Sequence, residues 1–175
     1  MELQLVNEGQ RGAYAAKRLA EFSARCRSGG LAVTPQRLAI IKALLASAEH
    51  PRADAIFAKV RRQHPTISLA TVHRTLETLC EIGEARKVTA LHDSARYDGN
   101  ITPHHHVVCV ECRRIRDIEI PELDSIIEGR SELGEFTVIG TSLEVHARCE
   151  NCEAIHAEGG IPMRLRRRNR NRKTN

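Results

Sequence analysis

Two Cys-x-x-Cys pairs, Cys109/Cys112 and Cys149/Cys152, and a His104-His105-His106 run just ahead of the first carry the chain's most reactive side-chain chemistry. Four thiolates fill one tetrahedral zinc shell. A closed shell leaves no position for substrate, so such a metal would be structural and would contribute folding energy directly. A redox dithiol is the competing reading of the pairs. The histidines are left over for a second metal of harder character. Residues 104–109 alternate as a strand, which puts His104 and His106 on one face and His105 on the other. Asp98 and Asp117 lie close in sequence, and imidazoles converging with carboxylates favour Fe(II), Mn(II) or Zn(II). His50 sits at a break between helices, and its spacing alone suits a cap or turn residue.

The elements that must position these groups differ between the two halves. In the second, Cys109-Val110-Glu111-Cys112 forms a knuckle and Arg114–Ile120 returns as a strand carrying Asp117. Pro121 starts a helix to about Arg130, and a long strand region over Phe136–Ala147 delivers the second cysteine pair. The sum is a small α/β unit with a mostly antiparallel sheet, suited to dimerisation.

The first hundred residues read as helices followed by a hairpin. A weakly amphipathic helix over 11–27 turns Leu19 and Phe22 inward. The next starts at Thr34 as N-cap with Pro35 in the first turn, and Leu38, Ile41, Leu44 and Leu45 repeat at helical spacing. His50-Pro51 precedes a third helix near Ala53–Arg62 with Ile56, Phe57 and Val60 apolar. The fourth runs from Ser68 to Ile82, capped by Ser68 and closed by Gly83. Leu69, Val72, Leu76, Leu79 and Ile82 form its stripe, and Ala70, Thr71, His73, Arg74 and Thr75 face outward. Strands over about Ala85–Leu91 and Ala95–Tyr97 follow around His92-Asp93-Ser94. This is the order of a winged helix-turn-helix, which lays its last helix in the major groove of DNA. Asp98-Gly99-Asn100 reads as a hinge.

Of the 175 residues, 41% are apolar, enough for packed cores. No run approaches the roughly 20 apolar residues of a membrane span, and the N-terminus lacks a secretory layout. A cytoplasmic protein is expected, where paired Cys-x-x-Cys motifs favour metal over disulfide. Cys26 and Cys80 fall on helical apolar faces as small buried hydrophobes. The net charge of +5 is unevenly spread: residues 1–100 hold 15 Lys/Arg against 10 Asp/Glu, and residues 101–163 hold 5 against 12. The closing RLRRRNRNRKTN has 7 basic residues and no acidic one. A polyanion partner fits the first half.

TPQRLAIIKALL, HPRADAIF, SLATVHRTLETLCEIG, RYDGN, HHHVVCVEC and RCENC, in this order and spacing, resemble the ferric uptake regulator superfamily over about Leu31 to Ala157. The resemblance implies an α+β fold with a winged-helix DNA-binding domain over 1–97 and a hinge over 98–103. A C-terminal α/β metal-binding dimerisation domain over 104–160 and a disordered basic tail over 161–175 complete it. It implies structural Zn(II) at Cys109, Cys112, Cys149 and Cys152, and a homodimeric metal-dependent repressor acting on a double-stranded DNA operator. No membrane and no small organic substrate are expected. Matched to the peroxide-responsive branch, the regulatory Fe(II) or Mn(II) falls to His50, Asp98, His104, His106 and Asp117. Fe(II) there would direct oxidation onto His50 or His104. The iron-uptake branch usually has Glu, and the zinc-uptake branch Cys, where this chain has Asp98. Pro103, His105 and Thr141 occupy or flank the positions of the extra site that the iron branch keeps. On the recognition helix His73 replaces the usual Tyr; Ala70, Thr71, His73 and Arg74 are the expected base-facing residues, and Arg37 a phosphate contact. Regulation by metal level is the alternative within the superfamily. A metalloenzyme is the alternative outside it, against which no nucleophile or general-base motif accompanies the metal set.

Overall fold

The computed structural model describes residues 4–5, 8–28, 32–47, 49–88, 94–123, 132–138 and 141–158. The chain folds as two compact units: Leu5–Pro103, and His104–Asn175 together with Met1–Gln4. A short strand β1 (Gln4–Leu5) comes first. Four helices follow, α1 (Glu8–Ser28), α2 (Pro35–Leu45), α3 (Ala53–Val60) and α4 (Leu69–Glu81), and then the hairpin strands β2 (Arg86–Val88) and β3 (Arg96–Asp98).

Local chemistry explains the boundaries of the helices. Thr34 Oγ1 accepts the Arg37 backbone N–H at 3.2 Å, and Ser68 Oγ accepts that of Thr71 at 3.0 Å. Each satisfies one of the orphan donors of a first turn, worth about 1 kcal/mol. At the other end of α4, Gly83 takes φ 74°. Its N–H donates to Cys80 O at 3.1 Å, and Glu84 N–H donates to Leu79 O at 2.7 Å. That paired closure needs a left-handed residue, which glycine supplies without a Cβ clash.

The helices bury one core: Phe22 and Cys26 from α1, Ile40, Ile41 and Leu44 from α2, Ala53, Ile56 and Val60 from α3, Val72, Leu76 and Leu79 from α4, and Tyr97 from β3. Truncating a fully buried member such as Phe22 would cost about 3–5 kcal/mol. The stripe on α4 differs from the expected one. Leu69 and Ile82 are exposed, because the helix ends run past the core, whereas Thr75 is buried. Val72, Thr75, Leu76 and Leu79 keep i, i+3, i+4, i+7 spacing, and this geometry overrides the polarity of threonine. On α2, Ile40 is buried and Leu38 and Leu45 only half-buried. The helix α1 is longer than expected and α3 shorter. In the wing, β2 and β3 pair antiparallel with Arg86 opposite Asp98. Residues 89–93, which include the rest of the expected first strand and most of the turn, lie outside the described residues.

The second unit is built on β4 (His105–Cys109) and β5 (Ile115–Glu119), with a small antiparallel hairpin of β6 (Glu132–Leu133) and β7 (Phe136–Thr137). It ends in β8 (Glu144–Ala147) and α5 (Glu150–Ala157). Its main sheet has the order β1-β5-β4-β8. Strands β4 and β5 run antiparallel, with His106 opposite Asp117, and β4 and β8 run parallel, with Cys109 opposite Ala147. Val108, Ile115, Ile118 and Ile120 fill the core of this unit. The single long strand expected over Phe136–Ala147 is not formed. Gly134, at φ 64°, turns Phe136–Thr137 back onto β6 as a separate hairpin, and only Glu144–Ala147 joins the main sheet. Pro121–Leu123 are helical. The remainder of the expected helix to Arg130 and the tail over 161–175 lie outside the described residues.

Candidate metal centres

The parallel pairing of β4 and β8 brings the two cysteine pairs to the same end of neighbouring strands. Arg113, at φ 64°, closes the first knuckle, with Cys109 N–H donating to Arg114 O at 2.9 Å and Arg113 N–H to Cys109 O at 3.0 Å. Val110 N–H donates to Ala147 O at 2.9 Å, and Cys149 serves as N-cap of α5. The four sulfurs of Cys109, Cys112, Cys149 and Cys152 lie within 4.8 Å of one another. Cys112 and Cys149 Sγ are 3.7 Å apart. The edge of a tetrahedron with zinc–sulfur bonds of about 2.3 Å is about 3.8 Å, so the cluster fits a zinc ion.

Electrostatics prepares Cys109, Cys112 and Cys152 unequally. Burial pushes the Cys109 thiol up, but backbone N–H groups of Cys112, Cys149 and Glu111 act together in the other direction and hold it at about 6. Burial raises Cys112, and burial with the neighbouring sulfurs pushes Cys152 up to about 12. Cys109 thus offers a ready thiolate, while Cys112 and Cys152 must give up protons to a metal. Beside the knuckle, His156 Nε2 on α5 approaches Glu111 Oε1 at 3.4 Å. This outer contact links α5 to the first pair and was not anticipated from sequence, nor was α5 itself. Cys26 and Cys80 stand apart on α1 and α4, buried and half-buried, with thiols raised by burial.

A second group of donors lies on the same unit. His104 and His106 are both buried, with ring centroids 4.7 Å apart at 80° and Nε2 atoms 3.0 Å apart. One ligand atom from each of His104, His106 and Asp117 falls within 4.8 Å of the others. Two imidazoles and a carboxylate converging in this way could hold a divalent cation. His105 is buried on the opposite face, where Nδ1 accepts Leu143 N–H at 3.1 Å, a structural role that fixes the approach to β8.

The helical unit holds the other two expected ligands. His50 is buried at φ 47° and Asp98 is buried at the end of β3; His50 Nε2 lies 3.6 Å from Asp98 Oδ2. Asp98 Oδ1 accepts Asn100 N–H at 2.8 Å, which orients the carboxylate. Of the residues expected to meet DNA, Ala70, His73 and Arg74 are exposed on α4. Thr71 is half-buried, its Oγ1 2.9 Å from Ser68 Oγ, and the Arg37 Nη1 donates to Ala32 O.

A helical bundle with a two-stranded wing, joined in one chain to a sheet unit bearing a four-thiolate cluster, defines a metal-binding transcriptional regulator. The chain belongs to the ferric uptake regulator family, whose model matches residues 28–146. It is 33% identical over 135 residues to the peroxide-responsive repressor PerR of Staphylococcus epidermidis, covering 77% of this chain and 90% of that protein. PerR of Staphylococcus aureus matches to the same extent, with 91% of its length covered. Among solved structures, the Campylobacter jejuni peroxide stress regulator is 31% identical with a TM-score of 0.58, covering 67% of this chain and 89% of that one. The Helicobacter pylori ferric uptake regulator, 19% identical, shares the fold with a TM-score of 0.66 over 79% of this chain and 93% of its own. The protein is accordingly a DNA-binding regulator of transcription and not an enzyme. Among the described residues no helix is long and apolar enough to cross a membrane.

Proposed function

We propose that the chain is a cytoplasmic, homodimeric repressor that senses peroxide through Fe(II), or holds Mn(II), at His50, Asp98, His104, His106 and Asp117. The observation that carries this reading is the donor set: paired imidazole nitrogens 3.0 Å apart beside Asp117 on one unit, and an imidazole 3.6 Å from a carboxylate on the other. Three nitrogens and two carboxylate oxygens suit Fe(II) and Mn(II) over the softer preferences of copper or a thiolate-bound ion. Similarity to PerR proteins supports the choice of peroxide over metal level.

A cation taken from both units would hold the reading helix and the pairing sheet in one arrangement. Metal affinity and operator affinity must then be coupled reciprocally. His50, Asp98, His104, His106 and Asp117 would hold the cation; Fe(II) there would supply reducing power toward peroxide that Mn(II) lacks, with His50 and His104 as the imidazoles open to oxidation. Oxidised His50 or His104 is a poorer donor, so the arrangement is released. Zn(II) at the four cysteines serves only structure.

In this reading a winged-helix domain spans 1–97, a hinge 98–103 and the pairing domain 104–160. Ala70, Thr71, His73 and Arg74 of α4 meet the major groove and Arg37 a phosphate; two copies match two half-sites. Gel shifts of promoter DNA with Mn(II), Fe(II), Zn(II) and no added metal test it. Binding should need Mn(II) or Fe(II), and peroxide should abolish the Fe(II)-supported shift while adding oxygen to a peptide containing His50 or His104. A shift with Fe(II) that survives peroxide would make the protein a sensor of metal level instead.

A further inference from the structure

Asp98 closes β3, and the side chain before it points the other way, as alternation along a strand requires. That residue, Tyr97, is 2% exposed and shares the core with Val72, Leu76 and Leu79 of α4. Its backbone N–H donates to Pro51 O at 3.0 Å, and the neighbouring Arg96 Nη1 reaches His50 O at 3.4 Å. The strand therefore carries Asp98 directly and ties down the main chain at His50 and Pro51. On its other face, the Tyr97 hydroxyl donates to Glu77 Oε1 on α4 at 2.8 Å. The same oxygen accepts Lys87 Nζ of β2 at 3.0 Å.

We infer that Tyr97 is a positioning residue that transmits occupancy at His50 and Asp98 to the recognition helix through its hydrogen bond to Glu77. The inference rests on the reading that these two residues hold the regulatory cation. Its warrant is a short physical chain. Ligation would fix the relative placement of His50 and Asp98, both are tied to β3, and β3 meets α4 through the Tyr97–Glu77 hydrogen bond as well as apolar packing. Apolar contacts tolerate sliding; a hydroxyl–carboxylate bond weakens steeply with angle and distance. Glu77, on α4, bonds to both β2 and β3 through Lys87 and Tyr97. A shift of β3 consequently reaches both the helix that reads DNA and the wing beside it.

The test uses the full-length, zinc-loaded chain, with Mn(II) affinity measured by calorimetry and amide hydrogen exchange followed along residues 72–79. In the parent protein Mn(II) should slow exchange in α4. Tyr97→Phe keeps the ring and removes the bond; it should bind Mn(II) within about twofold of the parent, yet lose a factor of roughly two to ten in that slowing, the worth of one such hydrogen bond. Glu77→Ala should behave alike. Glu77→Gln, which still offers an acceptor oxygen, should keep most of the response, and Lys87→Met should leave it intact. A Tyr97→Phe protein whose α4 responds fully to Mn(II) would overturn the relay. So would one whose Mn(II) affinity and thermal midpoint fall together with the response, since that marks a purely structural role. Mn(II) affinity unaffected by Asp98→Ala would instead overturn the cation site, and the relay with it.

Discussion

His50 Nε2 and Asp98 Oδ2, far apart in sequence, stand 3.6 Å from each other on two segments that β3 holds together. His50 reaches this position in the left-handed region of backbone space, at φ 47°, where non-glycine residues are uncommon but Asn, Asp and His are enriched. On the reading that both residues hold the regulatory cation, this pairing is part of the ligand geometry.

Asp98→Ala should therefore weaken Mn(II) binding by about 100-fold or more, since loss of mere outer-shell partners already costs 10- to 100-fold. Zinc content should be unchanged, because the cysteine cluster lies on the other unit. Calorimetry for Mn(II) and elemental analysis for zinc check both halves of this expectation.

Zinc loading should release protons and strengthen as pH rises. Cys112 and Cys152 sit above the ordinary thiol range, the latter at about 12, and each must deprotonate to bind. Cys109, at about 6, is already a thiolate at neutral pH. Lowering pH through that value protonates it too, so zinc affinity should fall more steeply below about pH 6 than above. Proton uptake on chelation, followed in a pH-stat, reads the release directly. A pH-independent zinc affinity would contradict it.

Glu84→Ala should destabilise the helical unit by about 3–5 kcal/mol. Glu84 Oε2 pairs with Arg18 Nη2 at 2.8 Å, with both side chains almost wholly buried, and Arg25 Nε reaches Oε1 at 2.5 Å. Removing the carboxylate leaves the Arg18 charge in the core without its partner. Replacing both Arg18 and Glu84 by methionine should recover part of the loss, as buried pairs commonly exchange for apolar groups at little cost. Urea unfolding of the three variants gives the comparison.

Gly99→Ala should cost about 1–2 kcal/mol in stability and weaken Mn(II) binding more than that figure alone suggests. A Cβ there would meet Leu45 Cδ2 at 3.0 Å and Leu44 Cγ at 3.3 Å, so the α2 side chains or the strand end must give. Because Asp98 is the next residue, displacement of the strand end moves the carboxylate. Thermal melts and Mn(II) calorimetry on the same sample separate the two effects.

Local signals in the sequence were legible where a single side chain determines a single backbone event. Thr34 and Ser68 cap the helices that they were expected to cap, Gly83 closes α4, and alternation divides His104 and His106 from His105. The four cysteines were legible because two matched Cys-x-x-Cys pairs favour one shared metal over a redox dithiol, and their sulfurs do converge. Long-range arrangement was not. Nothing in the pattern of Glu144–Ala147 distinguishes parallel from antiparallel pairing, and Arg18 meets Glu84 across 66 residues. The short helix α5 begins at Cys149, which makes no side-chain cap bond, so the usual start signal is missing. Hydropathy misassigned Leu69, Ile82 and Thr75, because it ranks residues by polarity where the position along the helix decides burial.

Strands β4 and β8 are sequence-distant and run the same way, so no tight turn sets how they align. A slip of one residue would send Cys149 to the wrong side of the sheet, since facing alternates with every position. Only the chain with Cys109 beside Ala147 can complete the sulfur cage. A zinc ion bound by the four sulfurs would therefore favour this register over its neighbours.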